Sequence, residues 1–181
     1  METTLKTPVV KHFFLRDDGV FPNNHRLPVL LYKSAWKLPF FKTAFIKSEL
    51  KKHGWENSWK NGVYEYHHYH SVSHEVLCAY RGRTKVLLGG DNGVIVDFEA
   101  GDVLIIPAGV AHKNIEPDNV FKCVGAYPKG QNYDMNYGQP YERPSADANI
   151  KRVELPLEDP VFGKSGPLLE YWRAPVLQKV S

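Results

Sequence analysis

The chain is 181 residues long, 43% hydrophobic and 24% charged, which is enough for one domain with a buried core and an ordinary balance for a soluble protein. Lys and Arg number 23 against 20 for Asp and Glu, a net charge of +3, and the basic residues are scattered, so no stripe for a nucleic-acid backbone is expected. No apolar run is long enough to span a bilayer and no signal peptide is read, while Cys78 and Cys123 sit in apolar, strand-like text; a cytoplasmic protein with two buried free thiols is expected, with neither nucleic acid nor membrane as a partner.

Val9 to Leu15 and Leu27 to Tyr32 read as short strands around turn-rich text, Asp17-Asp18-Gly19 and Pro22-Asn23-Asn24, extending a sheet at its edge or pairing with another subunit. Pro39 to His53 is the helix candidate, with Lys51, Lys52 and His53 in its last turn and Gly54 placed to stop it. Its apolar positions form two competing rows, Phe41, Ala44 and Phe45 in one and Ile46 with Leu50 in the other. Trp55 and Trp59 are expected to anchor a polar linker to the core.

From Gly62 the text becomes strand after strand. Tyr64 to His70, Glu75 to Tyr80 and Thr84 to Leu88 come first, and Gly89-Gly90-Asp91-Asn92-Gly93 makes a hairpin turn into Val94 to Phe98. Val103 to Ile106 ends at Pro107-Ala108-Gly109, and Phe121 to Tyr127 is the last clear strand. Many short strands between Gly- and Pro-rich turns indicate an all-β sandwich or barrel. Beyond it, Pro128 to Pro144 is rich in Tyr, Gly, Asn and Gln, and prolines at 156, 160 and 167 argue against a long helix. Residues 129–181 are read as an extended arm that wraps the barrel and lines a site or an interface.

Four residues stand out for their chemistry. Side chains two apart on a strand share a face, so His68 and His70 aim both imidazoles at one point. Glu75 can return a carboxylate to that point, and His112 would come from a neighbouring strand. Three imidazole nitrogens and one carboxylate oxygen suit a single divalent transition metal, Fe, Mn, Ni, Co or Zn, and leave two positions open in a six-coordinate ion. Tyr64 and Tyr66 share the parity of the two histidines and are expected to line the pocket. His67 has the opposite parity and is expected to face away. His74 is expected to be a solvent-facing or loop histidine.

Gly62, His68, His70, Glu75 and Gly82, followed by Gly101, Pro107, Gly109 and His112, match the two motifs G-x5-H-x-H-x3,4-E-x6-G and G-x5-P-x-G-x2-H-x3-N, so the chain resembles the cupin superfamily. The last position of the second motif departs from it, with Glu116 in place of Asn and an Asn at 114. The flanking text is similar to that of small uncharacterised bacterial cupins. The resemblance implies a double-stranded β-helix, or RmlC-like jelly-roll barrel, with one short N-terminal helix and an irregular C-terminal arm. Residues 1–60 would pack on a barrel core of residues 61–128, with the arm at 129–181, all in one domain. It also implies a metal held by His68, His70, Glu75 and His112, a small polar substrate or ligand, and a homodimer. Dioxygenase or isomerase-type chemistry is the leading expectation; a metal-containing protein that binds or senses a small molecule without turning it over is the alternative.

Overall fold

The computed structural model describes residues 7–173, so the extreme ends of the N-terminal segment and of the arm lie outside the described residues. Nine strands form two antiparallel sheets. In chain order the elements are β1 (Val9–Leu15), β2 (Asn24–Lys33), α1 (Lys42–Lys52), β3 (Trp55–Asn61), β4 (Glu75–Arg81), β5 (Arg83–Leu88), β6 (Val94–Glu99), β7 (Val103–Ile106), β8 (His112–Asn114) and β9 (Lys122–Pro128), then α2 (Ser145–Arg152) and α3 (Pro167–Arg173). The large sheet runs β1-β2-β7-β4-β9-β3 and the small one β6-β5-β8. This is the all-β architecture expected from the strand text and the jelly roll that the cupin resemblance implies.

The inner faces of the two sheets meet in one core, with Val29, Leu31, Leu77 and Leu104 of the large sheet against Val86, Leu88, Val96 and Phe98 of the small one. The alternate residues of the large sheet, Leu30, Tyr32, Val76, Cys78, Val103 and Ile105, point outward, where Ile46 and Leu50 of α1 and Leu168 and Trp172 of α3 cover them. Burial on both faces explains why β7 is apolar at every position, VLII, where a half-exposed strand would alternate. Between the two candidate rows of α1, Ile46 and Leu50 are the buried pair. The helix starts at Lys42, later than the sequence suggests, and Phe40 before it is 98% exposed. It ends as expected, with the His53 N–H returning to Glu49 and Gly54 at φ +74°. Cys78 and Cys123 are buried free thiols.

Three expectations are corrected. Trp55 to Asn61 is an edge strand paired with β9, Trp59 lying opposite Gly125 and Asn61 opposite Cys123. A bulge between Glu56 and Trp59, with Asn57 at φ +53°, breaks the alternation that would have marked it as a strand. Tyr64 to His70 is irregular and is tied in by isolated bridges, His68 to His112 and Tyr69 to Asn136. The arm is partly helical: a short 3-10 turn at Pro140–Glu142 precedes α2 and α3. Here prolines open elements, Pro140 at the first position of the 3-10 turn, Pro144 just before α2 and Pro167 at the start of α3. Among the described residues no helix is long and apolar enough to cross a membrane.

Candidate metal centre

The site lies between the two sheets, at the end of the barrel where β4 begins. His112 opens β8, Glu75 opens β4 opposite Ile106, and the chain through His68 is drawn against β8 by reciprocal backbone bonds, His68 N–H to the His112 carbonyl at 3.3 Å and His112 N–H to the His68 carbonyl at 3.0 Å. One ligand nitrogen from each of His68, His70 and His112 falls within 4.8 Å of the others, and all three side chains are buried. The i, i+2 logic therefore holds over residues 68–70, although the strand it assumed does not form.

Each imidazole is oriented from behind by a backbone carbonyl. Nδ1 of His68 donates to Tyr66 at 3.2 Å, Nδ1 of His112 donates to Val110 at 3.1 Å, and Nδ1 of His70 donates to the carbonyl of Asp134. A carbonyl only accepts, so the proton of each neutral ring sits on Nδ1 and the bare Nε2 lone pair points inward. Oε2 of the buried Glu75 lies 3.2 Å from Nε2 of His112 and 3.4 Å from Nε2 of His70. It has no aligned hydrogen-bond donor. When the rings are neutral, lone pairs face a buried carboxylate oxygen, a repulsive arrangement that either a proton or a divalent cation among them relieves, the cation by coordination. The donor set therefore fits a metal ion, and the His68, His70 and His112 group could hold one.

Without an ion, the positive charge that the carboxylate calls for comes from a proton, and the pKa directions run that way. Burial pushes His68 down to about 3, with the neighbouring His112 adding to the effect, so the ring is neutral. Burial would raise Glu75, but the His70 and His112 imidazoles override it and hold the carboxyl well below its usual range. Burial acts downward on His70 too, and the Glu75 carboxylate outweighs it, leaving the ring above its ordinary value.

The cavity over these groups holds about 330 Å³. Tyr64 lines it; Tyr66 stands behind, stacked on Tyr64 at 4.9 Å between centroids and edge-on to His68 at 5.9 Å. His67 turns away, its Nε2 3.0 Å from Asp91 Oδ1 and its ring against Phe21. His74 lies in the loop before β4, as expected, but is buried rather than solvent-facing. Its Nδ1 accepts the Ala108 N–H at 3.0 Å, its ring packs on Trp172, and burial lowers it to about 3. Glu116, the departure from the second motif, lies outside the cluster and pairs with Lys85 at 2.6 Å. The nearby Asn114 is buried and accepts from the Thr84 hydroxyl and the Glu116 N–H.

Sequence reasoning missed Asp134 and the wall formed by Trp59, Tyr127 and Tyr133. Asp134 offers its carbonyl to His70, while its carboxylate takes the Ser71 N–H and hydroxyl, both at 2.6 Å, and Asn136 Nδ2 at 2.8 Å. The only signal in the sequence was the Tyr- and Gly-rich text of the arm. Asp134→Ala should release that carbonyl and weaken metal affinity roughly tenfold, with Asp134→Asn less affected; competition with a chelator measures both. Gly109 is held at φ +92°, its N–H bonded to the His70 carbonyl at 2.8 Å, and a Cβ there would meet the Asn23 carbonyl oxygen at 2.5 Å. Gly109→Ala should therefore destabilise the fold by about 1–3 kcal/mol, measured by urea unfolding.

No family model matches the chain. The uncharacterised protein YjlB of Bacillus subtilis (strain 168) is 44% identical over 160 residues, a span covering 88% of this chain and 94% of YjlB. This chain belongs to the YjlB family. With both motifs on a jelly roll and the three histidines converging, it is a cupin. Similar solved structures include pumpkin seed globulin, at 21% identity and TM-score 0.38 over 54% of this chain, of whose length the cupin spans 28%. Another is the dTDP-6-deoxy-D-glucose-3,5-epimerase RmlC of Legionella pneumophila Philadelphia 1, at 12% identity and TM-score 0.36, over 67% of this chain and 72% of that one.

Proposed function

We propose that this cupin is a mononuclear metal enzyme in which His68, His70, Glu75 and His112 hold one divalent ion and a small polar molecule is bound beside it and transformed. The observation that carries this reading is the Glu75 oxygen without an aligned donor, facing the Nε2 atoms of His70 and His112 at 3.4 and 3.2 Å. When bound, the ion supplies Lewis acidity for an isomerisation or, if it is iron, activation of dioxygen. The chain's own residues do the remainder. The three backbone carbonyls fix the imidazole tautomers, Glu75 lowers the net charge of the site, and Trp59, Leu77 and the tyrosines shield it from bulk water. Two buried free thiols favour a reducing cytoplasm. The open edge of β1, where Val9 is exposed, favours a homodimer.

The test is protein purified without chelator or polyhistidine tag, assayed for metal and then incubated, loaded and stripped, with a library of small polar metabolites under mass spectrometry. Metal-dependent incorporation of oxygen marks a dioxygenase, and a product of unchanged mass with altered retention marks an isomerase. Tight retention of a compound with no product would replace the enzyme reading by the sensing one. Failure to take up any first-row divalent ion would overturn both.

A further inference from the structure

Two of the three histidines each stand against a stacked pair of tyrosines. His68 stands edge-on to Tyr64 at 5.2 Å and 81°, and Tyr64 lies on Tyr66 with an interplanar angle of 18°. His70 stands edge-on to Tyr127 at 5.8 Å and 87° and to Tyr133 at 5.4 Å and 68°, and these two stack at 4.8 Å and 20°. The Tyr127–Tyr133 pair is braced. Tyr127 accepts the Trp59 indole N–H at 3.0 Å, and Tyr133 adjoins Asp134, which is tied to Ser71. One member of each pair, Tyr64 and Tyr133, lines the cavity while remaining 48% and 52% exposed, whereas Tyr127, which also lines it, is buried. Ordered aromatic faces left uncovered beside a recessed chelating site fit a ligand ring better than a flexible chain, because a ring covers such a face with little loss of rotational freedom.

Size and charge narrow the class. At about 30 Å³ for each water-sized unit, 330 Å³ accommodates roughly eleven of them, enough to enclose a single ring with its substituents. Among the described residues no arginine lines the cavity and Lys60 is its one lysine, so they form no paired cationic clamp for a phosphate. Glu75 and the three histidines offer an ion with positions to spare, and two adjacent oxygens on the ligand match them.

We propose that the cupin's ligand is an unphosphorylated six-membered ring bearing two adjacent oxygen atoms, its ring against Tyr64 and Tyr133 and its oxygens toward the His68, His70, Glu75 and His112 cluster. The proposal rests on the metal reading above. Two sources share this chemistry, a catechol and a pyranose sugar. The experiment loads the full chain with cobalt(II), records the cobalt content, and follows calorimetric titration with catechol, with its isomer resorcinol whose hydroxyls are not adjacent, with xylose and with glucose 6-phosphate. Binding of catechol alone, of xylose alone or of both supports the proposal and identifies the source. Resorcinol and glucose 6-phosphate should bind at least about tenfold more weakly than the adjacent-oxygen ring that does bind. Tyr133→Ala should weaken that binding roughly three- to tenfold, and Tyr64→Ala with Tyr133→Ala more, at unchanged cobalt content, while Tyr133→Phe restores most of it. Full cobalt uptake with no ring bound, resorcinol binding as well as catechol, or binding indifferent to both tyrosines overturns the ligand class alone. Absence of cobalt uptake overturns the metal reading and this proposal with it.

Discussion

Replacing His112 with alanine is expected to abolish metal binding while leaving the barrel folded. The loss should exceed 100-fold in affinity, since removing only an outer hydrogen-bond partner of a ligand typically weakens a site about 10–100-fold, and His112 contributes the nitrogen itself. Its Nδ1 is locked on the Val110 carbonyl and its Nε2 lies 3.2 Å from Glu75 Oε2, so no other side chain can take its place. The unloaded variant should lose about 1–3 kcal/mol relative to the unloaded parent, because deletion of the ring takes a buried partner from both Glu75 and the Val110 carbonyl. The contrast appears on adding metal. At about 100-fold excess over its dissociation constant, a ligand that binds only the native state stabilises it by about 2.7 kcal/mol. For a chain of this size that corresponds to roughly 5–11 °C in melting temperature. The parent should show that rise and His112→Ala should not. Equal shifts in both proteins would mean that the ion binds elsewhere.

How much of this was readable beforehand depended on the kind of signal. The strands from Glu75 to Ile106 announced themselves because each is short, apolar and bounded by glycine turns, and burial on both faces made β7 unmistakable. The pairing of His68 with His70 was readable because their spacing matches a local geometry, two residues apart on extended chain, that survives even where the full strand does not form, and His112 was joined to them by the second motif. What stayed hidden was set by long-range pairing. Trp55 to Asn61 carries a bulge and sits at a sheet edge, so its pattern is that of a polar loop until β9 is laid beside it. His74 is polar text next to a serine, and only the packing of Trp172, nearly a hundred positions later, makes it a buried residue. Asp134 holds His70 through a main-chain oxygen, and a carbonyl's role leaves no mark on residue identity.

The arm offers the other large expected effect. Asp159 is completely buried and accepts four hydrogen bonds: Tyr32 Oη at 2.8 Å and Leu168 N–H at 3.1 Å on one oxygen, Val161 N–H at 2.8 Å and Phe162 N–H at 3.0 Å on the other. It thereby fastens the turn through Gly163 and the first residues of α3 to the outer face of β2. Asp159→Ala strips a buried hydroxyl and three buried amides of their acceptor, and unsatisfied groups of this kind each cost on the order of 1–3 kcal/mol. Relaxation and water entry recover part of that, so a net loss of about 3–5 kcal/mol in urea unfolding is expected. The pH dependence has a definite sign. Burial raises the Asp159 pKa above its ordinary value despite the four donors. The folded state therefore keeps this proton longer than the unfolded chain does. Its contribution is fully present below the unfolded pKa and declines as pH rises through the folded one. The gap between parent and variant should accordingly be widest in acid and narrow toward neutrality. Metal affinity of the folded variant should match the parent's, because Tyr32 and α3 lie on the face of the sheet opposite the site. A gap that widened from acid to neutral pH would show that the four donors dominate over burial at Asp159 and would reverse the assignment.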